Sequence, residues 1–499
     1  MMAIPPKKDM LLPEIVFSGG RDAASTRRIT RLAEDGKLTK LYSGVYTSNL
    51  DSPQESIVQR NWAEIVGYLL PDAVLSYRSA AMGKPENGVV YVTRGKTRRQ
   101  IKLPGLRIEV IPGNGAVVSP PANDVRYKHI YVASESRWLL ENLSQGRGVA
   151  DRVISQQEIE ERLEKILVLR GEHRLNELRD QCRALADTLQ LPQQFSRLDG
   201  LIGALLGTHE QKRLHSKQAL ARAAGKPYDP QRLELFDVLF ARLQSDVMPR
   251  IDDKAPSGHA LETFAFFESY FSNFIEGTTF EVGEAEQIIF EGAIIPNRSE
   301  DSHDVLGTFR AATVAPWRNA PPTTDEEFLQ WLKSVNALVM AARPDKRPGE
   351  WKEKANQAGS TLFVYPDLVP GTLREGFARI SALSDPYARA LMTMFVITEV
   401  HPFADGNGRT ARLAMNCELS AAGLSRIIVP TVYREDYLLP LKSLSSNKDP
   451  SAFLKSMTRV QQWTSAFDYS SPRDDVKARL GKCNAFQEDL KNYKLVFPD

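Results

Sequence analysis

Residues 387–400, YARALMTMFVITEV, read as a helix with apolar side chains on nearly every face. Such a helix is stable only when other elements surround it. Its start is sharply signalled, because Ser384-Asp385-Pro386 places a capping side chain and then a proline in the first turn. Its end is equally sharp: Pro402 cannot continue the hydrogen-bond ladder, so His401 stands at the last turn. A helical domain built around 387–400 is therefore expected, with the residues after Pro402 displayed at one end of a buried rod.

Those residues are His401-Pro402-Phe403-Ala404-Asp405-Gly406-Asn407-Gly408-Arg409-Thr410-Ala411-Arg412. Two glycines around an asparagine permit positive φ and turn successive backbone N–H groups outward. A second helix is expected to follow, to about Ala422, with Gly423 as its stop. A glycine turn feeding a helix N-terminus is an anion site. Arg409 and Arg412, three apart in the first turn, are expected to face the same anion, and Asp405 offers Mg²⁺ a hard oxygen ligand. Each feature alone is ordinary: a histidine at a helix end is more often a cap, and GNG more often a plain turn. Within twelve residues they assemble a base, a metal ligand, a phosphate cradle and two cations.

HPFADGNGRTAR resembles the Fic family pattern HxFx(D/E)GNGRxxR at every fixed position, and the resemblance is expected to span residues 255–465. It implies an α-helical domain that moves a nucleoside monophosphate, usually AMP from ATP with Mg²⁺, to a Tyr, Thr or Ser hydroxyl of a target protein. On that resemblance His401 is the general base and Asp405 holds Mg²⁺. Gly406, Asn407 and Gly408 cradle the phosphates, while Arg409 and Arg412 neutralise the leaving pyrophosphate. Phosphoryl-type transfer depends mostly on positioning and charge, which suits these roles.

Two further segments are read with the family. Residues 360–371, STLFVYPDLVPG, suggest a short hairpin closed by Pro and Gly. The family resemblance makes it a flap that docks the target by strand addition through Thr361, Leu362, Phe363 and Val364. Ahead of it, Pro348-Gly349-Glu350-Trp351-Lys352 has a lysine where the family more often has arginine. Ser272-Asn273-Phe274-Ile275-Glu276-Gly277 matches the family's inhibitory pattern (S/T)xxxE(G/N). Ser272 and Glu276 share a helix face and Gly277 can end the helix. The expectation is that Glu276 pairs with Arg412 where the γ-phosphate would sit, an interaction worth a few kcal/mol, about enough to suppress transfer by orders of magnitude. Some family members use this glutamate to remove AMP. Tyr437, in YREDYLLPL, is expected either to stack on the nucleobase or to be a core tyrosine.

The front of the chain differs in charge. Residues 1–150 hold 21 Lys/Arg against 14 Asp/Glu, while the whole chain is only +2. This hints at a polyanionic partner. Residues 25–34 are expected to form a helix exposing Arg27, Arg28 and Arg31, followed by strands at 37–41 and 45–47 around a turn at Ser43-Gly44. VVYVT (89–93) and LRIEVI (106–111) alternate like strands, with a basic run from Arg94 to Arg99 between them. GKLTKLYSGVYT and AVLSYRSAAMGKP resemble AbiEi-type antitoxins over about residues 10–190, which implies a winged-helix, DNA-binding autoregulator.

The expected fold is mainly α: a helical domain in the C-terminal half and an N-terminal α/β winged-helix-like module. The expected divisions are a winged-helix-like module at 1–50, an α/β region with a helical end at 51–190, a helical linker at 191–254, the Fic domain at 255–465, and an unassigned tail at 466–499. No apolar run has the length of a membrane span, no secretory signal is read, and Cys182, Cys417 and Cys483 follow no ligand spacing. A bacterial cytoplasmic enzyme is expected, an autoinhibited protein adenylyltransferase whose partners are a target protein, DNA and a second copy of the chain. The alternatives are a DNA-binding regulator with a nucleotide-sensing core, and a transferase with another donor.

Overall fold

The computed structural model describes residues 12–18, 23–146, 148–359, 361–489 and 491–498. The chain forms two compact units, residues 1–223 and 224–499.

The first unit begins with β1 (Ile15–Phe17), α1 (Ala23–Glu34), β2 (Thr39–Tyr42) and β3 (Val45–Thr47), whose strands form an antiparallel sheet in the order β1-β3-β2. There follow α2 (Gln54–Arg60), α3 (Trp62–Leu69), β4 (Val74–Leu75), α4 (Tyr77–Met82), β5 (Val89–Thr93), β6 (Arg99–Leu103), β7 (Leu106–Ile111), β8 (Val125–Tyr127) and β9 (Ile130–Val132). A mixed sheet in the order β6-β7-β5-β4-β9-β8 results. Helices α5 (Glu135–Asn142), α6 (Gln156–Leu189), α7 (Pro192–Leu205) and α8 (Lys217–Ala223) complete the unit. Arg27, Arg28 and Arg31 are exposed on α1. The basic run from Arg94 stays a connection as far as residue 98, and its last residue, Arg99, opens the edge strand β6, which was not expected. Ile101 and Leu103 face the core while Gln100 and Lys102 face solvent, an alternation too short to stand out beside the dense positive charge.

Two divisions read from the sequence change. Val45 lies in the same apolar core as Ile65, Val90, Leu139, Leu163 and Leu198, so residues 1–50 are not a separate module. Residues 191–254 are not a linker, since α7 and α8 close the first core. Helix α6 starts on a capping box between Ser155 and Glu158, and Gly171 kinks it with φ +77°.

The second unit is helical: α9 (Pro230–Ser245), α10 (Gly258–Ile275), α11 (Val282–Glu286), α12 (Ser299–Thr313), α13 (Asp325–Val339), a two-stranded hairpin of β10 (Gln357–Ala358) and β11 (Thr361–Leu362), then α14 (Val369–Ala382), α15 (Pro386–Val400), α16 (Asn407–Ala421), α17 (Arg434–Asn447), α18 (Ser451–Ser465) and α19 (Arg473–Lys482). The central rod is α15. The Asp385 side chain accepts from the Ala388 N–H, Pro386 fills the first turn, and residues such as Leu391, Met394, Phe395 and Ile397 have no exposed surface. The tail left unassigned contains α19, which buries only Val476 and Leu480, a stripe too narrow to stand out among charged residues. No described helix is long and apolar enough to cross a membrane.

Candidate active site

The end of α15 and the start of α16 form a tight corner. His401 ends α15 in the left-handed region, φ +50°. Asn407 braces the turn with its side chain: Oδ1 accepts from the Phe403 N–H at 2.8 Å and Nδ2 donates to the Phe403 carbonyl at 3.0 Å. The Asn407 side chain is thus spent on the backbone of the turn. Of the two glycines only Gly406 takes positive φ, +78°, as N-cap of α16. A Cβ there would sit 2.8 Å from Met340. Gly408 is an ordinary helical residue whose missing side chain serves proximity: a Cβ would lie 2.1 Å from Glu276 Oε1.

Helix α10 supplies that carboxylate. Glu268, Ser272 and Glu276 recur every four residues along one face, opposite Asn416, Arg412 and Gly408 on α16. Glu268 accepts from Asn416 Nδ2 at 2.8 Å; burial pushes its carboxyl up to about 7 against the pull of Arg426. Ser272 takes Arg412 Nε on its hydroxyl at 3.0 Å and Nη2 on its carbonyl at 2.9 Å. Arg412 Nη2 also reaches Glu276 Oε1 at 2.6 Å. Burial works to raise the Glu276 carboxyl, but Arg412, with Arg409 and His401 behind it, outweighs burial and holds it below the usual glutamate value. Glu276 caps the helix end, Gly277 leaves it at φ +95°, and Arg434 Nε donates to the Ile275 carbonyl at 3.1 Å. The Glu276 carboxylate therefore lies against the first turn of α16.

Arg409 does not face that anion. Its Nη1 donates to Asp304 Oδ2 at 2.6 Å and to Asn273 Oδ1 at 3.1 Å, and Asp304 also accepts from Arg343 Nε at 2.9 Å. Positions three apart on a helix diverge by about 60°, enough for long side chains to choose opposite neighbours.

The His401 ring is mostly buried and stacks on Phe363, with centroids 3.9 Å apart and planes 7° from parallel. Burial first and the Lys352 charge second bring its pKa down to about 4, against the Thr398 carbonyl, Glu276 and Asp405. The imidazole is accordingly neutral at pH 7. Asp405 is half-exposed at the mouth, its Oδ1 accepting from the Gly406 N–H at 2.6 Å.

The hairpin before the site is displaced from its expected place. It spans 357–362, and Pro370-Gly371 lie inside α14 rather than closing a turn. Proline is at home in a first helical turn, and Gly371 is required because a Cβ would meet the Pro227 carbonyl oxygen at 2.0 Å. Only Thr361 and Leu362 form the strand; Phe363 and Val364 turn inward. Tyr437 is a core residue, 2% exposed, with its hydroxyl toward Met394 Sδ and its ring 6.0 Å from the Arg412 guanidinium. It has no free face for a nucleobase.

Residues 325–419 match the Fic/DOC family model. This segment is a Fic domain. Helix α10 lies outside the matched residues. The chain is 28% identical over 185 residues to the protein adenylyltransferase fic-1 of Caenorhabditis elegans, covering 36% of each chain. It is 30% identical over 175 residues to the protein adenylyltransferase Fic of Culex quinquefasciatus, covering 34% of each. The chain thus spans between about a third and just over half of the length of the curated relatives it matches. Among solved structures, Fic-1 (residues 134–508) of C. elegans aligns over 66% of this chain and 97% of its own, at 20% identity and a TM-score of 0.36.

Beyond the Fic motif, sequence reasoning missed Asn336, which ties the Asp405 carbonyl (2.9 Å) to the Gly349 N–H (3.0 Å), and Asp304. Both lie far away in sequence, and neither sits in a pattern that marks it.

Proposed function

We propose that this chain is an autoinhibited protein adenylyltransferase, moving AMP from ATP to a hydroxyl of a target protein. The observation that carries the reading is the Glu276–Arg412 pair seated over Gly408, beside a neutral, oriented histidine. An internal carboxylate holds the place of a phosphate, which is sensible only where a phosphate is meant to bind.

With Glu276 withdrawn, Arg412 and the N–H groups at the start of α16 would receive the β- and γ-phosphates. The target's hydroxyl oxygen attacks the α-phosphorus, its proton passes to the His401 imidazole, and the bond to pyrophosphate breaks. With Nδ1 buried, Nε2 is the nitrogen left to take the proton. Asp405 would hold Mg²⁺, which supplies charge neutralisation on the phosphates. A single carboxylate fits that ion, which keeps waters and phosphate oxygens as its other ligands, and among the described residues no cluster of three His, Cys, Asp or Glu offers a self-sufficient site. Arg409 then acts through the fold, anchoring α16 to α12. Thr361 and Leu362 present a half-exposed strand edge to the target.

The test is transfer of labelled AMP from ATP and Mg²⁺ to proteins of a bacterial lysate. Glu276→Gly is expected to raise labelling on the order of a hundredfold, about 3 kcal/mol, and adding His401→Ala to abolish it. Equal labelling by wild type and Glu276→Gly removes the brake. Label from UTP but not ATP keeps the transferase and changes the donor.

For the first unit we propose a nucleic-acid contact, supported by exposed Arg28 and Arg31 on α1, which form no ion pair among the described residues. Binding to duplex DNA that falls steeply between 50 and 200 mM salt is expected; no binding at low salt removes the role.

A further inference from the structure

Lys352 stands at the root of the flap, and its surroundings are unusual for a lysine. It is 4% exposed, and among the described residues no carboxylate pairs with it. Its backbone N–H donates to the Pro402 carbonyl at 2.9 Å. Its Nζ donates to the Val400 carbonyl at 3.2 Å and to Asn356 Oδ1 at 2.7 Å. Asn356 in turn donates Nδ2 to the Phe403 carbonyl at 3.0 Å and accepts the Phe363 N–H on its own carbonyl at 3.1 Å. Trp351 stacks on Phe403 with centroids 5.1 Å apart. The carbonyls of Val400, Pro402 and Phe403, on both sides of His401, are thus all held by Lys352 and Asn356. The same pair fixes Phe363, whose ring lies flat on the imidazole.

We propose that Lys352 is a positioning residue for His401: its buried amino group ties the turn carrying the imidazole to the root of the flap and sets the electrostatic field the ring feels. The proposal rests on His401 as the base, and deepens that reading by naming what keeps the base in place.

Electrostatics agrees with the geometry. Burial and the neighbouring Arg232 of α9 bring the Lys352 amino group down to about 7. A neutral amine still has two N–H groups for its two acceptors. His401 is faced by Lys352 from the flap root, Glu276 from the end of α10, Asp405 from its own turn and the Thr398 carbonyl from α15. Lys352 is the one side chain among these that disfavours the imidazolium.

The experiment follows the His401 ring itself in the full chain, by NMR of ¹³C-labelled histidines, with His401→Ala assigning the signal. In Lys352→Met the midpoint of His401 titration is expected to rise by about one pH unit. In Lys352→Arg, which keeps the charge, it should remain at the wild-type value. In the Glu276→Gly background, Lys352→Met should lower kcat for transfer about tenfold at neutral pH with the nucleotide KM unchanged, and Lys352→Arg should recover most of it. A His401 midpoint unmoved in folded Lys352→Met overturns the proposal, whatever the transfer assay gives. Should Lys352→Met fail to fold, Asn356→Ala serves: the His401 ring signal should lose the shift imposed by Phe363, and an unchanged signal overturns the clamp. Because the titration needs no nucleotide, an absence of AMP transfer would leave this result standing.

Discussion

Two arginine–carboxylate pairs flank the first turn of α16, with the same chemistry and the same 2.6 Å contact. Arg409 meets Asp304 where both side chains are essentially sealed, 4% and 1% exposed. Arg412 meets Glu276, whose side chain keeps 33% of its surface open. Asp304 is further shared with Arg343, while Glu276 hangs from the last turn of a helix that ends at Gly277. Breaking either pair leaves a buried guanidinium behind, but the Glu276 carboxylate, unlike that of Asp304, can itself turn into water. One fastens α16 to the domain through two sealed side chains; the other has a carboxylate that reaches solvent.

The largest effect should come from breaking the sealed pair. Asp304→Ala is expected to cost about 3–5 kcal/mol in urea unfolding, and Glu276→Gln, whose amide oxygen can still accept from Arg412, about 1–2 kcal/mol. Equal costs would erase the distinction. Next in size is Gly408→Ala. Its methyl would need the space of the Glu276 carboxylate, so the Arg412 pair should open. The same methyl intrudes on the phosphate position, so ATP affinity measured by calorimetry should fall about tenfold or more in the Glu276→Gly background, about 1.4 kcal/mol. Unchanged affinity would place the phosphates elsewhere.

The pH response comes third. His401 is neutral down to about 4, so the transfer rate of Glu276→Gly should show no acid limb between pH 8 and 5; a limb centred near 6.5 would mean an ordinary histidine. The linkage has a definite sign. The unfolded chain takes up this proton near 6.5 and the folded one only near 4, so stability falls as pH drops through that window. The smallest effect is at Gly277, where φ is +95° and nothing lies within 4 Å of a Cβ. Gly277→Ala should cost about 1 kcal/mol through backbone strain alone.

How much of this the sequence revealed depended on distance along the chain. The corner from Asp385 to Arg412 was legible, since caps, proline, glycine and both helices are contiguous and each signal is local. The Glu276–Arg412 pairing was reachable only through the family pattern, because the two residues approach across 136 positions. The fate of Arg409 was not reachable, as Asp304 and Asn273 carry no mark of their own. The flap was set several residues late because Pro370-Gly371 reads as a turn in isolation, yet starts a helix packed on Pro227. The first unit was read as pieces because its core joins residues as remote as Val45 and Leu198.

The open geometry of the Glu276 pair has a genetic consequence. A glutamate codon becomes a glycine codon by a single base change. On the proposed function, an unrestrained enzyme is then one base change away.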